Sequence, residues 1–424
     1  MASKTPKKSI CFYFEVHQPL RLNSFSYFDI NKNKEYFDVI NKEILNKVAA
    51  KAYLPTNKLI LKLIKKYPEF RCAYSISGVF IDQCEMFNPG ILDSFKELVA
   101  TNKVELLSET YYHSLSYLYK KDEFVDQILL HRKKIWQLFK KKPQVFRNTE
   151  LIYSNKVAEY AKRLGFKAIL SEGWEKYLHW RSPNYLYKAK PTTVGSFNEK
   201  ILINKRFKEE IDQDIFLLLK NYKLSDDVAF RFSNKKWTSY PLTAEKYANW
   251  ILKAPGETIN LFMDYETFGE HQWADSGIFK FFEQLPNELK KRNIGFRTPS
   301  ETIKQLEVKD EISIPNLLSW ADIERDLSAW NQNKMQKEAL KKVFELTPLV
   351  RKVVKNMSSF EEAQNLLKTW RYLQTSDHFY YMSTKYWSDG DIHTYFSHYE
   401  SPYDAYINYM NVLNDFRQRL LLAK

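Results

Sequence analysis

Short apolar runs alternate with longer stretches of helical period up to about residue 264. The apolar runs lie at 9–16, 71–77, 104–108, 145–150, 167–171 and 259–264, and the helical patterns at about 39–66, 91–101, 122–141, 154–164 and 243–253. The last run is continuously hydrophobic over 259–263 and too short for a helix, which is typical of a strand covered on both faces. Alternating strands and helices predict a parallel sheet of the α/β class.

The pattern changes twice along the rest of the chain. Between about 175 and 240 it loosens into short predicted strands at 185–189, 200–204 and 228–232 and one helix near 213–220, which we interpret as an insertion. From Ser300 onward helical patterns dominate, for example over 338–346 and 360–372. We therefore expect a large domain over 1–300 and an all-helical C-terminal domain over 301–424.

Composition excludes several classes of protein. The formal charge is +14, but the excess lysine is scattered over amphipathic stretches such as 59–66, where it is typical of a solvated helix face. The longest basic cluster is 140–142, and no nucleic-acid-binding motif accompanies it, so we expect no nucleic-acid partner. Only 10 glycines occur, and no glycine-rich phosphate-binding pattern is present, which gives a nucleotide cofactor no support.

The cysteine count and the apolar runs bear on location. Cys11, Cys72 and Cys84 are an odd number, which favours reduced thiols. The start is basic like the first part of a signal peptide, but the apolar stretch after it is interrupted by Glu15 and His17 and has no small-residue cleavage site. No apolar run approaches the roughly 18 residues of a membrane helix. We expect a cytoplasmic protein without a membrane partner, and the sequence gives no indication of its oligomeric state.

Two of the predicted strands end in a carboxylate. Asp264 follows the run 259–263, and Glu150 follows the run that begins at Val145. The carboxyl ends of parallel strands build the ligand crevice, so both acids are candidate catalytic groups. Arg147 and Asn148 are placed to keep Glu150 ionised, whereas apolar and aromatic neighbours are expected to raise the pKa of Asp264. Such a pair suits reaction at an acetal carbon, which needs a proton donor and a nucleophile or base.

Two further predicted strands lead to histidines, His17 and His113. Taken together, His-Gln-Pro at 17–19, Val-Glu-Leu-Leu-Ser-Glu-Thr-Tyr-Tyr-His at 104–113, Phe-Arg-Asn-Thr-Glu at 146–150 and Met-Asp-Tyr-Glu-Thr-Phe-Gly at 263–269 resemble glycoside hydrolase family 57. The stretch Leu-Gln-Thr-Ser-Asp-His-Phe-Tyr-Tyr at 373–381 is similar to the last conserved region of that family. The likeness is strongest to its α-amylase branch.

The resemblance implies an incomplete (β/α)7 barrel followed by a helical domain, and a retaining reaction on α-glucans without a metal or other cofactor. Glu150 falls on the nucleophile position and Asp264 on the general acid/base. The resemblance and the neighbourhood of Glu150 also imply substrate-binding roles, which we expect of His17, His113, Arg147, Trp273 and Asp377.

Three alternatives remain open at this stage. A 4-α-glucanotransferase or a branching enzyme passes through the same covalent intermediate, and differs in whether water or a sugar hydroxyl accepts the glucosyl group. A metal site of the deacetylase kind would use His17, His113 and His271, but their spacing is not that of paired ligands. A non-catalytic carbohydrate-binding protein is disfavoured because both carboxylates are present.

Overall fold

The computed structural model describes residues 6–192, 214–385 and 397–423. Its strands form two mainly parallel sheets, with the orders β3-β2-β1-β8 and β10-β6-β7-β5-β4, and β9 pairs with the start of β1. The strands are β1 (Lys8–Val16), β2 (Cys72–Ile76), β3 (Val104–Leu106), β4 (Val145–Phe146), β5 (Ala168–Glu172), β6 (Leu186–Ala189), β7 (Phe216–Lys220), β8 (Thr258–Asp264), β9 (Ile294–Phe296) and β10 (Val308–Ile312). All six apolar runs predicted as strands up to residue 264 are therefore confirmed.

Helices connect the strands and make up most of the chain after residue 328. They are α1 (Ile40–Val48), α2 (Leu54–Lys66), α3 (Gly78–Phe87), α4 (Pro89–Ala100), α5 (Ser116–Tyr119), α6 (Lys121–Phe139), α7 (Asn155–Arg163), α8 (Glu175–Leu178), α9 (Tyr222–Ala229), α10 (Ala244–Lys253), α11 (Ile278–Lys291), α12 (Pro299–Gln305), α13 (Ser328–Asn331), α14 (Lys334–Glu345), α15 (Thr347–Asn356), α16 (Phe360–Tyr372), α17 (Ser376–Tyr380) and α18 (Pro402–Leu422). No helix in the described ranges is both long and apolar enough to cross a membrane.

Two elements of the predicted insertion are wrong. The segment expected as a helix near 213–220 is strand β7, which pairs in parallel with β5 along its whole length. The segment expected as a strand at 228–232 begins inside helix α9. A short apolar run such as Phe-Leu-Leu-Leu has no polar position to reveal its period, so only its place beside β5 decides its conformation. The strand expected at 185–189 is confirmed as β6 (Leu186–Ala189), and the one expected at 200–204 lies outside the described residues.

Backbone hydrogen bonds connect the two sheets at both sides. Ser108, just past β3, donates from its N–H to the carbonyl of Val145 at 3.0 Å and accepts from the N–H of Arg147 at 2.9 Å. On the other side, Asn221 after β7 donates to the carbonyl of Asn260 in β8 at 2.8 Å. The carboxyl ends of β1, β3, β4, β7 and β8 consequently face one common region.

The C-terminal helices have an apolar core of their own. Buried side chains of α14, α16 and α18, including Trp370, pack together and extend to Leu115 and Ile152 near the ends of β3 and β4. Backbone bonds fix that contact, because the N–H of Ser376 donates to the carbonyl of His113 at 2.9 Å. The helical region therefore lies against the same region that the strand ends face.

Candidate active site

Glu150 lies in a tight turn directly after β4. Its backbone is in the left-handed region, with φ at 56°, which a non-glycine residue rarely adopts and which costs roughly 1 to 2 kcal/mol. The Asn148 side chain holds the turn from both ends: its oxygen accepts from the N–H of Thr149 at 3.0 Å, and its amide donates to the carbonyl of Ile152 at 2.9 Å. Such strain is characteristic of functional sites, where surrounding contacts over-determine the conformation.

Three side chains donate hydrogen bonds to the Glu150 carboxylate. His113 Nε2 lies 3.1 Å and Ser376 Oγ 3.4 Å from Oε1, and Trp320 Nε1 lies 2.8 Å from Oε2. Burial opposes ionisation of Glu150, but the hydrogen bond and charge of His113, together with Arg147 and Trp320, outweigh it and lower the pKa. Glu150 is therefore an anion at neutral pH.

His113 is a buried imidazolium. Its Nδ1 lies 3.1 Å from Oε2 of Glu109 and 3.5 Å from Oε1 of Glu15, and its Nε2 meets Glu150. Burial lowers its pKa, but the hydrogen bonds to Glu109 and Glu150 and the charge of Glu15 raise it well above the ordinary value. The positive charge of His113 therefore lies directly against the carboxylate of Glu150.

Arg147, expected to bind substrate, is fully buried. Its Nε lies 2.9 Å from Oε2 of Glu15, whose carboxyl group also accepts from the hydroxyl groups of Tyr13 at 2.6 Å and Ser75 at 3.1 Å. Burial raises the pKa of Glu15 to about 8, although the positive charge of Arg147 acts to lower it. Arg147 thus contributes charge to Glu150 and Asp264 from within the protein.

Asp264 ends β8 and is half-buried. Burial and then the negative charge of Glu150 raise its pKa to about 6, while Arg147 and Lys220 act in the opposite direction. Two residues further, the buried Glu266 accepts a hydrogen bond from the hydroxyl of Tyr53, and burial followed by the charge of Asp264 raises its pKa to about 8. The pKa values of Glu150 and Asp264 are shifted in opposite directions, as an acid and a nucleophile require.

His17 and Asp377 form a second pair in the cleft. His17 Nε2 lies 3.0 Å from Oδ2 of Asp377, and Nδ1 lies 2.7 Å from the hydroxyl of Ser77. Because Nε2 faces a carboxylate it donates to Asp377, and because the pKa of His17 is lowered the neutral ring accepts at Nδ1 from the Ser77 hydroxyl. Burial and the charge of His113 lower the pKa of His17, and the two imidazole rings are stacked 4.0 Å apart.

Trp273 is the most exposed of the predicted site residues. Its side chain is 61% exposed, and the ammonium group of Lys51 lies 6.0 Å from its ring. An exposed indole is free to pack on a sugar ring, and the substrate-binding role of Trp273 stays a prediction.

Potential metal ligands converge at one place in the described part of the chain. One atom each from Glu15, Glu109 and His113 lies within 4.8 Å of the others, and neither His17 nor His271 belongs to this group. The guanidinium of Arg147 already supplies a positive charge to Glu15, and the imidazolium of His113 has no lone pair to offer. The donor set therefore does not fit a cation.

Sequence reasoning missed two donors to Glu150, Trp320 and Ser376. Ser376 lies beside the predicted Asp377, so the same motif contained it. Trp320 follows the pair Leu317–Leu318 outside every predicted element, and no pattern around it indicated a site. Only the contact between the segment after β10 and the Glu150 turn brings Trp320 to the carboxylate.

The model of glycosyl hydrolase family 57 matches residues 11–315, well over half of the chain. The protein therefore belongs to that family and is a glycoside hydrolase. A curated relative named "Putative alpha-amylase" from Methanocaldococcus jannaschii is 46% identical over 427 residues, covering 98% of this chain and 86% of the relative.

Solved structures show the same fold. The family 57 branching enzyme from Pyrococcus horikoshii superimposes with a TM-score of 0.66 at 13% identity, over 92% of this chain and 87% of that one. The 4-α-glucanotransferase from Thermococcus litoralis gives a TM-score of 0.59 at 14% identity, over 88% of this chain and 56% of that longer one. At these identities the likeness concerns the α/β fold alone.

Proposed function

We propose that this protein hydrolyses α-1,4-glucosidic bonds in α-glucans, such as starch, glycogen and maltooligosaccharides, with retention of configuration. The observation that carries the proposal is that Glu150 lies directly after β4 and Asp264 ends β8, that the charge of Glu150 acts on Asp264, and that their pKa values are shifted in opposite directions. The relative from Methanocaldococcus jannaschii, named for α-amylase activity, supports the choice of substrate.

In the first proposed step, the Glu150 carboxylate attacks the anomeric carbon while Asp264 donates its proton to the departing glycosidic oxygen. The glucosyl–Glu150 ester forms as the glycosidic bond breaks, and Asp264 is left ionised. Arg147, Lys220 and His113 favour that ionised form. In the second step Asp264 takes a proton from water, the water oxygen attacks the anomeric carbon, and Glu150 leaves as a carboxylate.

The groups around the pair have proposed binding roles. Asp377, whose Oδ2 is held by His17, offers its other carboxylate oxygen to sugar hydroxyl groups at the donor subsite, and His17 stacks its ring there on His113. Trp273 offers an exposed ring face to a neighbouring sugar. Arg147, being fully buried, contributes charge rather than contact.

We propose also that β1, β2, β3, β4, β5, β7 and β8 close into the incomplete (β/α)7 barrel. The parallel pairings within each sheet support this, as do the hydrogen bonds at Ser108 and Asn221 that join the sheets. The separate apolar core of the C-terminal helices supports the division near residue 300, although β10 at 308–312 still pairs with β6. Three buried free cysteines are consistent with a cytoplasmic location.

Transfer to another glucan is the second candidate. It would use the same ester, and the fold is shared with a glucanotransferase and a branching enzyme. The α-amylase name of the 46% identical relative favours water as acceptor.

The test is a product time course from maltoheptaose and from soluble starch, run beside Glu150→Gln. We expect short sugars with matching new reducing ends, and no turnover by the variant although its unfolding midpoint is unchanged. Chains longer than the donor with little gain in reducing ends would establish transfer instead. Equal product formation by Glu150→Gln would remove Glu150 from the mechanism.

A further inference from the structure

The two oxygens of the Glu150 carboxylate are held from different parts of the chain. Oε1 faces His113 and Ser376, whereas Oε2 accepts from the indole Nε1 of Trp320 at 2.8 Å, its one side-chain donor among the described residues. Trp320 comes from the segment that follows β10. The hydrogen bond from Trp320 therefore fixes the position of Oε2.

Backbone pairing fixes Trp320 relative to the Glu150 turn. Tyr153 and Leu318 exchange two backbone hydrogen bonds of 3.0 Å each, and the N–H of Trp320 itself lies 3.3 Å from the carbonyl of Glu150. The main chain and the side chain of Trp320 thus both contact Glu150. The indole is positioned by the same turn whose left-handed backbone directs the carboxylate.

Two buried cations lie against the indole ring. The guanidinium carbon of Arg147 is 4.9 Å and the ammonium nitrogen of Lys220 is 5.2 Å from the ring. Lys220 is itself held 3.2 Å from Asp226 and 3.7 Å from Glu172. Positive charge against the π face attracts the ring and draws electron density from it, which makes the N–H a stronger donor.

We propose that Trp320 is a positioning residue for the nucleophile: with Arg147 and Lys220 both against its ring, its indole N–H donates to Oε2 of Glu150 and fixes the orientation of the carboxylate. The inference rests on the nucleophilic role of Glu150 proposed above. A carboxylate with donors on both oxygens is prevented from rotating and needs no reorganisation as its charge moves to the sugar.

Other charged groups act on Glu150 directly or through a neighbour, so the test isolates the indole N–H from them. His113 after β3, Arg147 after β4 and Asp264 in β8 interact with Glu150 itself. Glu15 in β1, Glu109 after β3 and Asp377 in α17 interact with the charge of His113, and Lys220 in β7 interacts with Asp264. Trp320→Phe leaves all of these in place and keeps an aromatic ring beside the two cations, but removes the N–H donor together with part of the indole ring, a loss of volume that the control below shares.

Trp370→Phe is the matched control. Trp370 is fully buried, and its Nε1 donates to the carbonyl of Val343 at 2.9 Å within the C-terminal helical core. Both substitutions remove one indole hydrogen bond, but only that of Trp320 reaches a carboxylate. We would measure the pH profile of kcat/KM on maltoheptaose and the unfolding midpoint for both variants and for the unsubstituted protein.

We expect Trp320→Phe to lower kcat by roughly 10- to 100-fold, the usual effect of losing one hydrogen bond to a charged group. We also expect the acid limb of the profile to move to higher pH, because Glu150 then protonates more easily. Trp370→Phe should leave that limb in place. A Trp320→Phe enzyme with the original kcat and the original acid limb would overturn the inference, whereas an unsubstituted protein inactive on every glucan would refute the proposed function instead.

Should Trp320→Phe fail to fold, indole N–H resonances of the unsubstituted protein provide the readout. One tryptophan indole proton should shift with pH as Glu150 titrates, and Glu150→Gln should abolish that pH dependence. If no indole resonance loses its pH dependence in Glu150→Gln, Trp320 does not hold the carboxylate.

Discussion

His113→Gln removes the positive charge between the buried carboxyl groups of Glu15 and Glu109 and the partly exposed one of Glu150, while keeping a side chain that donates through an amide. In the folded protein His113 lies 3.1 Å from Glu109, 3.1 Å from Glu150 and 3.5 Å from Glu15. The variant therefore leaves Glu109 and Glu150 with a weaker, uncharged donor at most. The change tests whether the imidazolium maintains both the fold and the ionised nucleophile.

The expected magnitude follows from these distances. At an effective dielectric constant of about 20, one contact at this separation is worth about 5 kcal/mol before desolvation is counted. Desolvation of the imidazolium offsets much of this, and breaking a buried charge group by removing one partner costs about 3 to 5 kcal/mol. We expect that loss in the free energy of unfolding at pH 7. We expect kcat/KM to fall by at least about tenfold, since the lost charge is worth about 1.5 kcal/mol or more to the Glu150 carboxylate.

The assay combines urea unfolding at pH 7 with the pH profile of kcat/KM. His131→Gln is the control, because His131 is also fully buried but its pKa is lowered, chiefly by burial, and its Nε2 bonds to the carbonyl of Ile76. In His113→Gln the acid limb should move to higher pH, whereas His131→Gln should leave it in place. Unchanged stability and an unchanged acid limb in His113→Gln would refute the assignment of His113 as a buried imidazolium.

Two further predictions follow from the site. Asp264 has to be protonated to act as an acid and its pKa is raised to about 6, so kcat/KM should decline as pH rises through about 6. Asp264→Asn should abolish that basic limb together with most of the activity. A flat profile between pH 5 and 8 would contradict the role of Asp264. Trp273→Ala should raise KM for maltoheptaose with little change in the unfolding midpoint, because the indole is 61% exposed, and a large drop in the midpoint would show instead that the ring is part of the core.

Much of the fold was readable from periodicity, and the errors have a common physical origin. Runs such as 259–264 alternate clearly with amphipathic helices, so β8 and its neighbours were predicted correctly. Strand β7 was predicted as a helix because a fully apolar run of five residues has no period of its own. Its conformation depends on pairing with the edge of β5, a strand that lies nearly fifty residues earlier in the sequence.

The candidate site divides in the same way. Glu150, Asp264, His17 and His113 each follow a strand, so the rule that parallel strands present their carboxyl ends to one crevice brings them together from sequence alone. The burial of Arg147 was not predicted, because an arginine beside a catalytic acid has the same local sequence whether it faces substrate or a partner such as Glu15.

The sequence by itself determined where the strands before Glu150 and Asp264 end, and so which two acids are the candidate pair, because hydrophobic period and strand termini are local properties of the chain. Only the tertiary structure decided which groups shift their pKa values: His113 lies against Glu150, the charge of Glu150 and burial raise the pKa of Asp264 to about 6, and Trp320, 170 residues away along the chain, donates to the Glu150 carboxylate. These pKa shifts and contacts depend on burial and on the distances between groups far apart in sequence. The energy of a charge interaction falls as 1/r, and the distances are set only when the chain has folded.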